Sequence, residues 1–67
     1  MPYFYLARCS DNSLYAGVCT NILERELKHN KGEGAKYTYQ RRPVKIIYFE
    51  DFKTLSDAMK REQQVKK

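Results

Sequence analysis

The chain has 67 residues and a formal net charge of +5. A chain this short is expected to form one domain with a small core, burying only about 60% of the surface it exposes unfolded. The opening apolar run from Tyr3 to Ala7 is too short to span a membrane and has no basic lead-in, so a soluble, cytoplasmic protein is expected.

Residues 3 to 9 are rich in aromatics, end at the turn cluster Ser10-Asp11-Asn12-Ser13, and are followed by Leu14-Tyr15-Ala16-Gly17-Val18. This pattern predicts a β-hairpin. Asn12 tolerates the left-handed conformation and suits a three-residue loop ending in a bulge. Such a loop pairs residues 9 and 13, sets Tyr5 opposite Gly17 and Tyr15 opposite Ala7, and puts both tyrosines on one face. An even-numbered loop would separate them onto opposite faces.

A helix is expected from about residue 22. Asn21 is a good N-cap, and Glu24 three residues later completes a capping-box pattern. Ile22, Leu23 and Leu27 form the apolar arc expected to face the core, with Arg25 and His29 stacked i,i+4 at its edge. Read alone, that pair is a solvated helix flank, with His29 favoured by the helix dipole. The stretch from Asn30 to Lys36 is polar and Gly-rich, and is expected to be irregular and mobile. It lacks the Lys-Ser/Thr ending of a phosphate-cradling loop.

A short helical turn fits residues 37 to 42, and Pro43 favours an extended Arg42. Val44 to Phe49 is expected to be a third, mostly buried strand. A last helix is capped by Thr54, with Asp57 three residues on, and Leu55, Ala58, Met59 and Val65 mark its core stripe. Glu62 falls on that stripe, where an ionised carboxylate is costly unless it pairs with a cation such as Arg25 or binds a metal. Cys9 and Cys19 do not form a Cys-x-x-Cys pair, and one histidine cannot complete a four-ligand zinc site, so reduced thiols are expected.

The charge is unevenly placed. Lys28, Lys31, Lys36, Arg41, Arg42 and Lys45 face a single acidic residue, Glu33, within their segment, while the rest of the chain holds seven of each sign. With Tyr37 and Tyr39 interleaved, the segment from Lys28 to Lys45 suits a phosphate backbone with exposed bases beside it. The alternative is a basic, soluble loop with no partner.

In motif order the chain resembles the GIY-YIG nuclease superfamily, and in particular the small stand-alone bacterial proteins related to the N-terminal cleavage domain of the excision-repair endonuclease UvrC. The resemblance covers essentially the whole chain. Its first motif falls on Tyr3-Phe4-Tyr5 and its second on Tyr15-Ala16-Gly17; the helical arginine falls on Arg25 and the acidic metal ligand on Glu62. The run from His29 and Asn30 through Lys36-Tyr37-Thr38 to Arg41-Arg42-Pro43-Val44 matches the stand-alone group. Tyr3 and Ala16 replace a Gly and an Ile of the motifs, and Glu26 stands where relatives often carry a second Arg.

The resemblance implies an α+β fold, a three-stranded antiparallel sheet flanked by helices in the order β-β-α-(short helix)-β-α, across residues 1–67. It also implies metal-dependent hydrolysis of phosphodiester bonds in DNA, in repair or recombination. Glu62 would hold one Mg2+ or Mn2+, Arg25 the scissile phosphate, and Tyr5 or Tyr15 would orient or deprotonate the attacking water, with His29 assisting and Gly17 leaving room beside them. A phenol ordinarily titrates near 10, so either tyrosine needs a positive neighbour to act at neutral pH. The competing reading is a non-catalytic module that binds DNA or RNA through Lys28, Lys31, Lys36, Tyr37, Arg41, Arg42 and Lys45. A third is a domain that works with a larger protein partner.

Overall fold

A computed structural model describes residues 1–66. The first two strands, β1 (Tyr3–Arg8) and β2 (Leu14–Cys19), form the expected hairpin. Asn12 takes the left-handed conformation at φ 67°, and the Cys9 N–H donates to the Ser13 carbonyl at 2.9 Å, closing a three-residue loop. The register follows: Tyr5 pairs with Gly17 and Ala7 with Tyr15. Because paired residues share a face, both tyrosines project from the same side of the sheet.

Helix α1 (Ile22–Lys31) begins where Asn21 accepts the Glu24 N–H at 2.9 Å. It runs further than expected, to Lys31, and ends at Gly32, whose φ of 83° is open to glycine at no steric cost. The expected irregular stretch therefore starts later. Asn30 pins it down from within the helix, donating to the Val44 carbonyl and accepting the Val44 N–H. Helix α2 (Lys36–Tyr39) is the expected short turn, and Arg42–Pro43 is a cis peptide. Strand β3 (Lys45–Asp51) pairs with β1, giving the sheet order β2-β1-β3, and helix α3 (Leu55–Lys66) closes the chain with Thr54 accepting the Asp57 N–H.

The two faces of the sheet are covered by different helices. Tyr5, Ala7, Cys9, Cys19 and Val44 form the core on the α1 side, joined by Ile22, Tyr15 and Ile46. On the other side α3 packs over β1 and β2, with Ala58 fully buried and the Arg61 guanidinium above the Phe4 ring. Burying Phe4 completely contributes about 1.5–3 kcal/mol.

Three expectations about burial are corrected. In α1 the apolar arc points outward: Leu23 is 75% exposed and Leu27 61%. The inward stripe is instead Ile22, Arg25, Glu26 and His29, spaced i, i+3, i+4, i+7, because His29 finds buried hydrogen-bond partners that make its burial cheap. Strand β3 is mostly exposed rather than mostly buried, since it lies at the sheet edge and Ile47, Tyr48 and Phe49 remain uncovered. In α3 only Ala58 of the expected stripe is buried; Leu55, Met59 and Val65 are exposed, while Arg61 and Glu62 turn partly inward. Both cysteines are buried free thiols, as expected. Among the described residues no helix is long and apolar enough to cross a membrane.

Candidate active site

The hairpin register sets the floor of the site. Tyr5 lies across Gly17, so closely that a Cβ on Gly17 would come within 2.5 Å of the Tyr5 hydroxyl. Glycine is needed here for close approach, which delivers the phenol of β1 to the far side of β2. Tyr15, two residues earlier on β2, packs beside it with ring centroids 6.4 Å apart.

His29 joins these rings from α1. Its Nε2 is 2.8 Å from the Tyr5 hydroxyl, its Nδ1 is 2.8 Å from Thr38 Oγ1, and its ring meets Tyr15 edge-on at 5.5 Å. The Thr38 hydroxyl donates to the Ala35 carbonyl at 2.9 Å. With its proton committed there, Thr38 Oγ1 can only accept from Nδ1–H, which leaves Nε2 to accept from the Tyr5 hydroxyl. The chain of donors therefore runs Tyr5 to His29 to Thr38 to Ala35.

Electrostatics fits this direction. Burial, and then the nearby Arg25 charge, push the His29 pKa below its ordinary value, so the imidazole is neutral. Burial first, and Tyr15 second, push the Tyr5 phenol above the usual range, while Arg25 pulls it down and Glu62 pushes it up. Arg25 and Glu62 thus both lie within electrostatic reach of the Tyr5 hydroxyl, from helices on opposite sides of the sheet.

The two charged residues do not pair with each other. Glu62 meets Lys66 one turn later in α3 at 3.3 Å, with its side chain only 17% exposed, and Lys66 sits 5.9 Å from the centre of the Tyr15 ring. Of the cations open to Glu62, Lys66 rather than Arg25 meets the carboxylate, and among the described residues Arg25 makes no ion pair. No cluster of three or more His, Cys, Asp or Glu side chains capable of caging a metal occurs among the described residues. The candidate donor is one largely buried carboxylate, Glu62, whose charge is felt at the Tyr5 phenol. That suits a hard divalent cation that keeps most of its water and takes further oxygens from a phosphate.

The basic segment divides into two parts. Arg41 stacks on Tyr37 at 3.9 Å, pairs with Asp11 at 3.1 Å and donates to the Tyr37 carbonyl. Arg42 stacks on Tyr39 at 4.5 Å and donates to the carbonyls of Tyr39 and Asn30. Both arginines hold the fold together as well as carrying charge. Lys28 pairs weakly with Glu24 at 3.9 Å, while Lys31, Lys36 and Lys45 stand exposed. Tyr37 stacks on Tyr15 at 5.9 Å and so belongs to the site wall as much as to the basic surface.

Two contributors were not expected at the site, although Thr38 lies in the run that resembles the family. Thr38 is fully buried against His29, and a Cβ on Gly34 would collide with His29 Nδ1. A threonine in a four-residue helix and a glycine in a Gly-rich loop look like ordinary loop chemistry. Only the unusual depth of His29 explains them.

The model of the GIY-YIG catalytic domain matches residues 1–67. A UPF0213 protein of Pediococcus pentosaceus is 56% identical over 64 residues, which cover 96% of this chain and 67% of that protein. A UPF0213 protein of Listeria monocytogenes is 54% identical over 65 residues, covering 97% of this chain and 72% of its own. The solution NMR structure of a UPF0213 protein from Bacillus halodurans, 39% identical, superposes with a TM-score of 0.58 over 98% of this chain and 71% of that one. Matched by that model along its whole length, and with a three-stranded antiparallel sheet flanked by helices, the chain belongs to the GIY-YIG family, a family of nuclease domains.

Proposed function

We propose that the protein is a metal-dependent endonuclease that hydrolyses phosphodiester bonds in DNA. The observation that carries this reading is the buried hydrogen-bonded chain of Tyr5, His29 and Thr38 beside the Tyr15 ring, with the charges of Arg25 and Glu62 both felt at the Tyr5 phenol. Burying a phenol, an imidazole and a hydroxyl in a core this small costs stability that apolar residues would not, and catalysis is a reason to keep them.

Each residue then has a task. Arg25, without an ion pair among the described residues, holds a non-bridging oxygen of the scissile phosphate and offsets the charge that develops as the P–O bond breaks. Tyr15 is the phenol with an open side; it lines a cleft of about 480 Å³ with Leu14, Tyr37 and Lys66, and there it orients the attacking water and, in its phenolate form, takes the water's proton to become the neutral phenol. Tyr5 is 1% exposed, and its hydroxyl is committed to His29, so it supports Tyr15 from beneath rather than touching the water. Glu62 would hold a single Mg2+ or Mn2+, which when bound supplies Lewis-acid activation and charge neutralisation.

Lys31, Lys36 and Lys45, with Lys28, Arg41 and Arg42, present the positive surface along which the strand lies. Repair or recombination intermediates are the substrates that the family resemblance favours, and a larger partner could add binding surface. A purely binding role is less favoured, because the arginines most suited to it are engaged in internal contacts.

The deciding experiment is cleavage of a panel of duplex, flap, fork and single-stranded DNA and RNA with Mg2+, Mn2+ or chelator. Glu62→Gln is expected to abolish cleavage while leaving the fold and salt-sensitive DNA binding intact. Equal cleavage by Glu62→Gln would overturn the metal assignment, and cleavage by no divalent ion would leave only the binding role.

A further inference from the structure

We propose that Thr38 is a positioning residue of the site: its hydroxyl, fixed by the Ala35 carbonyl, selects the Nδ1–H tautomer of His29 and so keeps Nε2 as the acceptor for the Tyr5 hydroxyl. The kinetic consequence rests on the hydrolase reading above. The tautomer itself does not.

Three observations meet at this side chain. Thr38 is 0% exposed, so water cannot substitute for its hydroxyl as a partner of His29. Its contacts at 2.8 Å to Nδ1 and 2.9 Å to the Ala35 carbonyl can both be hydrogen bonds in only one protonation pattern of a neutral imidazole. Gly34 then closes the same edge of the ring: its missing side chain leaves space only for the imidazole as it stands, and any Cβ would strike Nδ1.

Helix α2 has four residues and no side-chain cap, so its own hydrogen bonds give it little stability. It is held by what its side chains touch, with Tyr37 against Tyr15 and the adjacent Thr38 against His29. One turn of helix thus sets both the orientation of the partly buried Tyr15 phenol and the donor direction beneath the fully buried one. Where an imidazole ligates a metal, removing the partner on its second nitrogen changes affinity or activity about 10–100-fold, and an effect of that order is expected here.

The chain has one histidine, so its imidazole nitrogens can be followed by 15N NMR without ambiguity. Thr38→Val keeps the shape and removes the acceptor, Thr38→Ser restores the hydroxyl, and Thr38→Cys keeps the size with a weak acceptor. In the parent and in Thr38→Ser, Nδ1 is expected to carry the proton. In Thr38→Val the signals should shift toward the other tautomer or a mixture, and kcat should fall about 10–100-fold with KM for DNA unchanged. If the valine variant does not fold, the cysteine variant takes the same test.

An unchanged Nδ1–H pattern in the folded valine or cysteine variant would overturn the proposal, and so would a serine variant as impaired as valine. Should the parent cleave no nucleic acid, the hydrolase reading fails by itself, and the nitrogen signals still decide whether Thr38 sets the tautomer.

Discussion

On the α1 side of the sheet Tyr5, His29 and Thr38 are each no more than 1% exposed and are joined by hydrogen bonds of 2.8 Å. On the α3 side Tyr48, Glu50 and Arg61 are joined just as continuously, with Tyr48 donating to Glu50 and Arg61 meeting the same carboxylate at 2.9 Å, but the group stands at the open edge of β3. Similar chemistry has opposite consequences in the two places. Enclosed, each polar atom must keep its partner or lose about 1–3 kcal/mol; at the surface, water replaces whatever is lost. The apolar side chains are distributed the other way, with Leu23, Leu27, Phe49 and Leu55 more than half exposed. A domain that spends interior volume on polar side chains and leaves leucines outside is organised for chemistry before stability.

Exchanging arginines across the sheet gives the largest contrast. Arg25→Ala should lower kcat about 10²–10³-fold, the usual cost of losing a preorganised charge at a developing anion. Arg61→Ala, which removes a guanidinium from the α3 side, should leave turnover unchanged. Single-turnover cleavage with both variants checks the pair, and comparable losses would erase the distinction between the faces.

Gly17→Ala is expected to come next. The added methyl must displace the Tyr5 ring, whose Oη and Cζ lie 2.5 and 2.6 Å from the Cβ position. That overpacking costs about 1–3 kcal/mol, read as a lower urea midpoint with an unchanged m-value. Since the displaced ring holds the His29 hydrogen bond, cleavage should fall with it.

The buried chain also makes stability pH-dependent. The folded protein holds His29 below its ordinary pKa of 6.5, so as pH drops through 6.5 the unfolded chain takes up the proton first. The His29 contribution is thus fully present above 6.5 and is lost as pH falls through the folded pKa, with a slope of at most about 1.4 kcal/mol per pH unit. The lowered carboxyl of Glu50 acts only below about 4.5, outside this window. Urea midpoints should decline from about pH 7 to about pH 5 in the parent and stay flatter in His29→Gln.

What was legible in the chain follows the same division. Local chemistry was readable: Asn12 implied the loop, the loop implied the register, and Asn21 and Thr54 marked their helix starts. Burial was not. A helix with Leu23 and Leu27 on one side and Arg25 and His29 on another is read by hydrophobicity as facing the wrong way, because the energy that buries His29 comes from partners 24 and 9 residues distant. Strand β3 misled for a related reason: Ile46, Ile47, Tyr48 and Phe49 have the composition of an interior strand, and only the sheet order puts them at an edge. Motif spacing brought Tyr5, Tyr15 and Arg25 into view, but the roles of Thr38 and Gly34 come through the histidine they both touch, which no spacing reveals.

The smallest effect belongs to the exposed network. Glu50→Gln removes the carboxylate that accepts from both Tyr48 and Arg61, and its lowered pKa arises first from the Tyr48 hydroxyl and then from Arg61. The side chains of Arg61 and Glu50 are 39% and 26% exposed, so solvent and salt screen their attraction. The Tm of Glu50→Gln should therefore fall slightly at low ionic strength and match the parent at about 1 M salt, where the Debye length is about 3 Å. Thr38→Val should keep its deficit at both salt concentrations, since an imidazole nitrogen left without a partner in a closed interior is beyond the reach of screening ions. A salt-insensitive loss in Glu50→Gln would mean that the α3 side is as enclosed as the α1 side, and the division between a polar interior and a polar edge would have to be redrawn.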